Sequence, residues 1–181
     1  MRKLLACLLT ATLCGSAAGV AAFELRDIDG LAARFETSGK TTVVLFYSTV
    51  CPISNEYNQR MNALFRDYSA KGAQFLVVNA NWNESAQEMR EHSRAAEFVF
   101  PVYRDHNNAL AERLGASLTP EAFVLDGTGA VRYHGAIDDA RNLARVKLQG
   151  LRDALESVMA GTKVMQAETK AFGCTIKKVK K

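Results

Sequence analysis

The stretch that most limits how this chain can fold is Thr41-Thr42-Val43-Val44-Leu45-Phe46-Tyr47, which runs directly into Ser48-Thr49-Val50-Cys51-Pro52. An unbroken β-branched, aliphatic and aromatic run suits a strand covered on both faces, because alternation is lost when neither face meets water. Beyond Pro52 the pattern changes. Tyr57, Met61, Leu64, Phe65 and Tyr68 recur at helical spacing and lay one apolar stripe along a helix that Gly72 closes. Phe75-Leu76-Val77-Val78-Asn79 reads as a second buried strand. A strand, a helix and a strand in this order predict a parallel pair joined by a right-handed crossover.

The remaining chain supplies the other half of a sheet. Ser85-Ala86-Gln87-Glu88 has capping-box spacing and predicts a helix start. Pro101-Val102-Tyr103-Arg104 is a short extended piece, and Asn108 to Leu114 a short helix ended by Gly115. Ala122-Phe123-Val124-Leu125 and Ala130-Val131-Arg132-Tyr133-His134 flank Asp126-Gly127-Thr128-Gly129, which predicts an antiparallel hairpin. Leu143, Val146, Leu151, Ala154, Leu155 and Val158 predict a final amphipathic helix stopped by Gly161, and Glu24 to Ile28 an edge strand at the front. No repeat, low-complexity tract or linker interrupts this order. The expected class is therefore α/β: one central mixed sheet, a parallel β-α-β half plus an antiparallel hairpin, flanked by helices.

The amino-terminal segment has another purpose. Arg2 and Lys3 precede the apolar run Leu4 to Leu13, broken only by Thr10 and Thr12, and small residues follow up to Val20-Ala21-Ala22. This is the layout of a secretory signal, residues 1–22, with cleavage expected after Ala22 and Ala21 as the rival position. The run is too short to span a bilayer, which takes roughly 20 apolar residues, so stable membrane insertion is not expected. A lipid anchor at Cys14 is disfavoured by the bulky Leu13. The single domain then occupies residues 23–181, in a periplasmic or secreted location. Losing Arg2 and Lys3 lowers the formal charge from +4 to +2. Lys177, Lys178, Lys180 and Lys181 hold much of that surplus and are expected to form a solvated, frayed tail, with no nucleic-acid role.

Cys7 and Cys14 leave with the signal, so Cys51 and Cys174 are the cysteines that matter. In an oxidising compartment they form either a structural staple or a working redox pair, and composition does not choose. Position says more. A strand running into a helix exposes the residue at the junction, and Pro52 suits the first helical turn because its missing N–H would have no partner there. Cys51 then sits at the N-cap, facing unpaired N–H groups and the positive end of the helix dipole, which favour the nucleophilic thiolate. The competing reading is an inert buried thiol. Leu118-Thr119-Pro120-Glu121 places a second proline at the head of a strand, which marks a strand start whatever the isomer of its peptide bond.

Taken together, the Cys-Pro junction and a Thr-Pro ahead of an antiparallel hairpin resemble the thioredoxin-like superfamily, and within it the redoxin branch of peroxiredoxins and exported thiol-disulfide oxidoreductases. The likeness is carried by Cys51-Pro52-Ile53-Ser54 with Tyr57 and Arg60, by Leu118 to Asp126, by Tyr133-His134-Gly135-Ala136-Ile137-Asp138-Asp139, and by Thr169 to Lys177 around Cys174. The resemblance implies that Cys51 is the attacking cysteine and that Pro120 is the family's cis-proline, which packs beside the active sulfur. Ser54 stands where a C-x-x-C motif carries its second cysteine, so the usual local disulfide cannot form. Cys174 becomes the candidate resolving thiol, and Gly173 before it permits close approach. Ser48, three residues before Cys51, occupies the peroxiredoxin Thr/Ser place, whereas Val44 replaces that motif's proline. Arg60, Arg104 and Arg132 are the candidate peroxide-activating arginines.

Glu121 stands either as a proton carrier beside Cys51 or as a solvent-facing acid, the commoner fate of such a residue. Asp138 and Asp139 are expected to cap the helix that follows. The leading function is disulfide exchange or peroxide reduction through Cys51, with protein disulfides or peroxide as substrate, an unidentified thiol reductant, and no dissociable cofactor. Two alternatives stay open: a Cu(I) chaperone using Cys51, Cys174 and His134, or a non-catalytic module stapled by Cys51–Cys174, a bridge contributing about 4 to 5 kcal/mol by the chain-entropy estimate.

Overall fold

The computed structural model describes residues 22–180; all of the signal segment but Ala22, including Cys7 and Cys14, lies outside the described residues. A central seven-stranded sheet carries the fold, in the order β2-β1-β5-β4-β3-β7-β8. Its middle is β3 (Thr42–Phe46), whose five residues are all buried. The strand pairs in parallel with β4 (Gln74–Asn79) on one side and antiparallel with β7 (Glu121–Leu125) on the other. Val43 and Leu45 join the core on one face of the sheet, while Val44 and Phe46 join the core on the other. Each such side chain contributes roughly 1.5–3 kcal/mol on burial, so this strand alone anchors both layers.

The expected helix after Cys51 is two helices. α1 (Pro52–Glu56) gives way at Tyr57 to α2 (Asn58–Ser69), and Met61, Leu64 and Tyr68 of α2 pack into the first core. Gly72, at φ +94°, turns the chain into β4. α3 (Ala86–Ala95) begins with the expected capping box between Ser85 and Glu88. β5 (Val102–Arg104) extends the parallel half beside β4, and α4 (Ala109–Leu114) lends Leu110 and Ala111 to the second core. β7 and β8 (Val131–Gly135) form the expected antiparallel hairpin.

Three expectations are corrected. The front strand, β1 (Ala22–Asp27), is not an edge: it lies between β5 and β2 (Ala32–Glu36), and β2 is the edge. β2 lacks an apolar run because its outer side is wet; Arg34 there pairs with Glu36 and Glu24. The last helix, α5, spans Gly150–Met159, so it excludes Leu143 and Val146. Asn142 accepts a hydrogen bond from Ala144 N and starts a separate 3-10 turn, after which Val146 is extended and the helical spacing is broken. The lysine-rich tail is not frayed. Ile176 is buried, Lys177 N donates to Asn81 Oδ1 (2.7 Å) and Val179 N to Asn108 Oδ1 (2.7 Å).

The hairpin turn is held by Asp126. Its Oδ1 accepts from Thr128 N (2.8 Å), Thr128 Oγ1 (2.6 Å) and Ala130 N (3.1 Å), and its Oδ2 from Arg132 Nε (2.5 Å). Partial burial alone would raise its pKa, but these donors outweigh it and hold the group at about 2. A folded pKa below the unfolded value contributes stability that is full above about pH 4 and lost as the pH falls toward 2. Asp126→Asn should therefore be less stable than the parent by about 2 kcal/mol at neutral pH, with the gap closing between pH 4 and 2. Urea unfolding across that range measures it.

Candidate functional site

All the chemistry gathers where β3 ends. The loop from Tyr47 to Val50 delivers Cys51 to the N-cap of α1, where Ser54 N points at its Sγ from 3.4 Å. Ser54, in the place of a second cysteine, is buried; its hydroxyl accepts from Ser48 N (3.2 Å) and so closes the loop on itself. On the opposite side the Thr119–Pro120 peptide is cis, as the resemblance implied, and Thr119 O lies 3.3 Å from Cys51 Sγ. Cys51 and Cys174 are joined as a disulfide with their Cα atoms 5.9 Å apart.

A residue that the sequence did not single out organises this loop. Glu84 follows β4 and is only 1% exposed. Its Oε1 accepts from Ser48 Oγ (2.6 Å), and its Oε2 from Thr49 N (2.7 Å), Thr49 Oγ1 (2.6 Å) and Asn79 Nδ2 (2.7 Å). Ser48 Oγ in turn accepts from Val50 N (3.3 Å) and Cys51 N (3.2 Å). Ser48 thus relays Glu84 to the backbone of the cysteine. Nothing in the local pattern Asn81-Trp82-Asn83-Glu84-Ser85 marks Glu84, since it also reads as a polar loop before a capped helix. The signal would have been an acid placed at the carboxyl end of a buried parallel strand, where loops meet.

Glu121 is not in solvent. It is 2% exposed, accepts from Ser117 N (2.7 Å) and Leu118 N (2.9 Å), and its other oxygen lies 2.6 Å from His134 Nε2. The His134 ring stacks on Phe123 at 4.4 Å. Glu121 therefore fixes the short strand β6 (Leu118–Thr119), and His134 is held by Glu121. Among the described residues no three His, Cys, Asp or Glu side chains group as a metal site. The candidate arginines are engaged elsewhere: Arg60 with Asp138 (2.6 Å), Arg132 with Asp126 (2.5 Å) and Arg104 with Glu84 O (3.2 Å). Asp138 and Asp139 do not cap α5, whose N-cap is Gln149. Asp138 binds Arg60 and Tyr57 OH (2.9 Å), while Asp139 accepts from Lys147 N (2.9 Å). Burial, followed by the bond to Asp138, pushes the Tyr57 phenol well above its ordinary pKa.

The carboxyl-terminal arm completes the site. It is fixed first on β8, where His134 N donates to Ala167 O (2.9 Å) and Thr169 N to His134 O (3.0 Å). Thr169 Oγ1 contacts Tyr133 OH (2.6 Å) and accepts from Ala136 N (3.0 Å). Phe172 then meets Tyr57 edge-on, and β9 (Cys174–Thr175) pairs antiparallel with β6, Cys174 opposite Thr119. A Cβ on Gly173 would collide with Thr119 O, so only glycine lets the arm lie this close. The exposure expected of the junction residue is not found: Cys51, bonded to Cys174 of the arm, is only 1% exposed, while its neighbour Val50 is 64% exposed.

A sequence profile of the AhpC/TSA family matches residues 18–134. The chain belongs to the AhpC/TSA family. The match takes in Cys51, Pro120 and Glu121 and stops before Cys174. A thiol:disulfide interchange protein DsbE of Yersinia pestis is 26% identical over 123 residues, covering 66% of this chain, and the chain spans 63% of that relative's length. Among solved structures, a hypothetical protein of Sinorhizobium meliloti matches with a TM-score of 0.79 at 26% identity, over 90% of this chain and 93% of its own. A putative thiol:disulfide interchange protein DsbE of Chlorobium tepidum shares the fold with a TM-score of 0.56 at 21% identity, over 65% of this chain and 82% of its own. The fold is thioredoxin-like, of the redoxin branch, with Cys51 and Cys174 joined.

Glu84 accepts four donors while buried, and a hydrogen bond to a charged group contributes about 1.5–3 kcal/mol. Glu84→Ala should lower unfolding stability by at least about 2 kcal/mol, and Glu84→Gln by less because the amide keeps an acceptor. Urea unfolding of the oxidised proteins tests the order; equal losses would mean the carboxylate charge and its second oxygen do not matter.

Proposed function

We propose that this protein is an exported thiol-dependent oxidoreductase in which Cys51 attacks a protein disulfide and Cys174 resolves the adduct. The observation that carries this reading is the pairing of Cys51, at a helix N-cap, with a cysteine held on a strand beside the cis Thr119–Pro120 peptide. The N–H of Ser54 and the helix dipole favour the Cys51 thiolate. In the reduced protein that thiolate attacks one sulfur of the substrate disulfide, forming a mixed disulfide and releasing the other half as thiolate. The Cys174 thiolate then attacks Cys51 Sγ, expels the second half, and leaves the Cys51–Cys174 bond. Two electrons have passed to the substrate, and a thiol reductant of the compartment returns them. Supplied with reduced client thiols instead, the same steps run backwards. The likeness to interchange proteins supports the exchange reading, and the signal-like segment 1–22 supports export.

Membership of the AhpC/TSA family favours peroxide as a second substrate. There the Cys51 thiolate takes one oxygen to become a sulfenic acid, the peroxide leaves as alcohol or water, and Cys174 condenses with the sulfenic acid to give the same disulfide plus water. Site-shaping roles go to Pro52, Ser48, Ser54, Thr119, Pro120 and Glu121, which set the loop and the β6 edge around the sulfur.

In Cys174→Ser, a disulfide-bonded peptide should leave a stable mixed disulfide on Cys51, whereas the reduced parent should proceed to the internal bond. Peroxide should leave the same variant one oxygen heavier at Cys51. Cys51→Ser should abolish both products. Intact-protein mass spectrometry reads all of them, and a reduced Cys51 inert to peptide and peroxide alike would leave a fixed bridge.

A further inference from the structure

Two buried asparagines hold the chain just past Cys174. Asn81 follows β4 and Asn108 precedes α4; both are at least nine-tenths buried. The side chain of Asn81 has one bond, accepted by its Oδ1 from Lys177 N at 2.7 Å, while its Nδ2 has no partner. Asn108 accepts from Val179 N at 2.7 Å and is itself fixed by donating to Ala80 O (2.5 Å). Trp82 N adds a bond to Lys177 O (3.0 Å), and Ile176 N one to Ser117 O (2.9 Å). The arm is thus fastened on both sides of Cys174, at Thr169 before it and at these amides after it.

The fastening shares its foundation with the nucleophile. Asn79 Oδ1 accepts from Asn81 N (2.9 Å), and Asn79 Nδ2 donates to Glu84, the carboxylate that also holds Ser48 and Thr49. The loop that carries Cys51 and the loop that grips the arm therefore rest on the same pair of side chains. Breaking the S–S bond removes none of the backbone bonds at Asn81, Asn108 or Thr169.

We propose that Asn81 and Asn108 are positioning residues, an amide latch that keeps Cys174 over Cys51 after reduction and so sets the effective concentration of the resolving thiol. This rests on the exchange reading given above. With the latch closed the reduced pair re-forms readily and Cys51 stays shielded from bulky thiols. With it open, the segment beyond the Thr169 anchor swings away and a substrate gains access.

The test is the equilibrium constant of the Cys51–Cys174 disulfide against dithiothreitol, together with the rate at which iodoacetamide alkylates Cys51 in the reduced full-length protein. One neutral hydrogen bond is worth a factor of roughly 3 to 10. Asn81→Ala should lower the constant by about that factor and raise alkylation in step. Asn108→Gly, which keeps the positive φ of residue 108 available, should act similarly, and the pair should act more strongly. Asn81→Asp keeps an oxygen facing Lys177 N and should restore the constant to within about twofold of the parent. A purely structural role would lower the thermal stability of the variants in a Cys174→Ser background but leave the disulfide constant alone. Constants and alkylation rates equal to the parent's in Asn81→Ala and Asn108→Gly would overturn the latch while leaving exchange intact. A bond that dithiothreitol cannot reduce in the native protein would overturn exchange and the latch together.

Discussion

A carboxylate removed from water has to find donors, and the way Glu84 finds them dictates the shape of the whole reactive end of this molecule. Buried without partners, such a group costs several kcal/mol. The donors come from two separate segments: Ser48 and Thr49 in the loop ahead of the cysteine, and Asn79 at the end of the neighbouring parallel strand. Parallel pairing of β3 and β4 is what brings those segments to the same edge, because both strands then finish at one end of the sheet. The hydrophobic middle and the polar rim are thus consequences of one topology. The core fixes the strands, and the strands fix where the acid and its donors meet.

The same logic governs the second acid. Glu121 stands opposite Phe46 in the β3–β7 pairing, next to the cis peptide. Its carboxylate gathers the amides of Ser117 and Leu118 and so shapes a short edge that the β7 ladder alone would not hold. Two acids, one on each side of the sulfur, are spent on backbone geometry, and this division keeps the disulfide between two rigid walls. The arm then closes the remaining side, tied by a hydroxyl at Thr169 and by amide oxygens at Asn81 and Asn108.

Much of this was legible in the residues. The buried run at Val43–Phe46, the capping box at Ser85 and the hairpin about Asp126 each follow from strong local patterning, and the structure keeps them; the helix behind Cys51-Pro52 is kept but divided at Tyr57. What escaped depended on distant contacts. Glu84 and Glu121 look like ordinary loop and strand-head acids until the sheet places them: Ser48 and Thr49 reach Glu84 from 36 and 35 residues away, and Glu121 stands opposite Phe46 of β3. The lysine tail read as loose because its side chains are charged; its order comes from backbone amides, which composition does not display. The Leu143–Val146 pattern mimicked a helix because apolar spacing carries no record of where a side-chain cap restarts the chain. The front strand was visible, but its partner β2, exposed along one side, was not.

The separation of 123 positions between Cys51 and Cys174 also bears on how the two sulfurs come together. During synthesis the first thiol emerges long before the second exists, and the second finds its seat only on an edge made by β6, which itself depends on the β3–β7 ladder. Closing so long a loop in an unstructured chain carries a large entropic cost, whereas a formed sheet has already met it. The Cys51–Cys174 bond thus draws on a geometry that the β3–β7 and β6–β9 pairings supply.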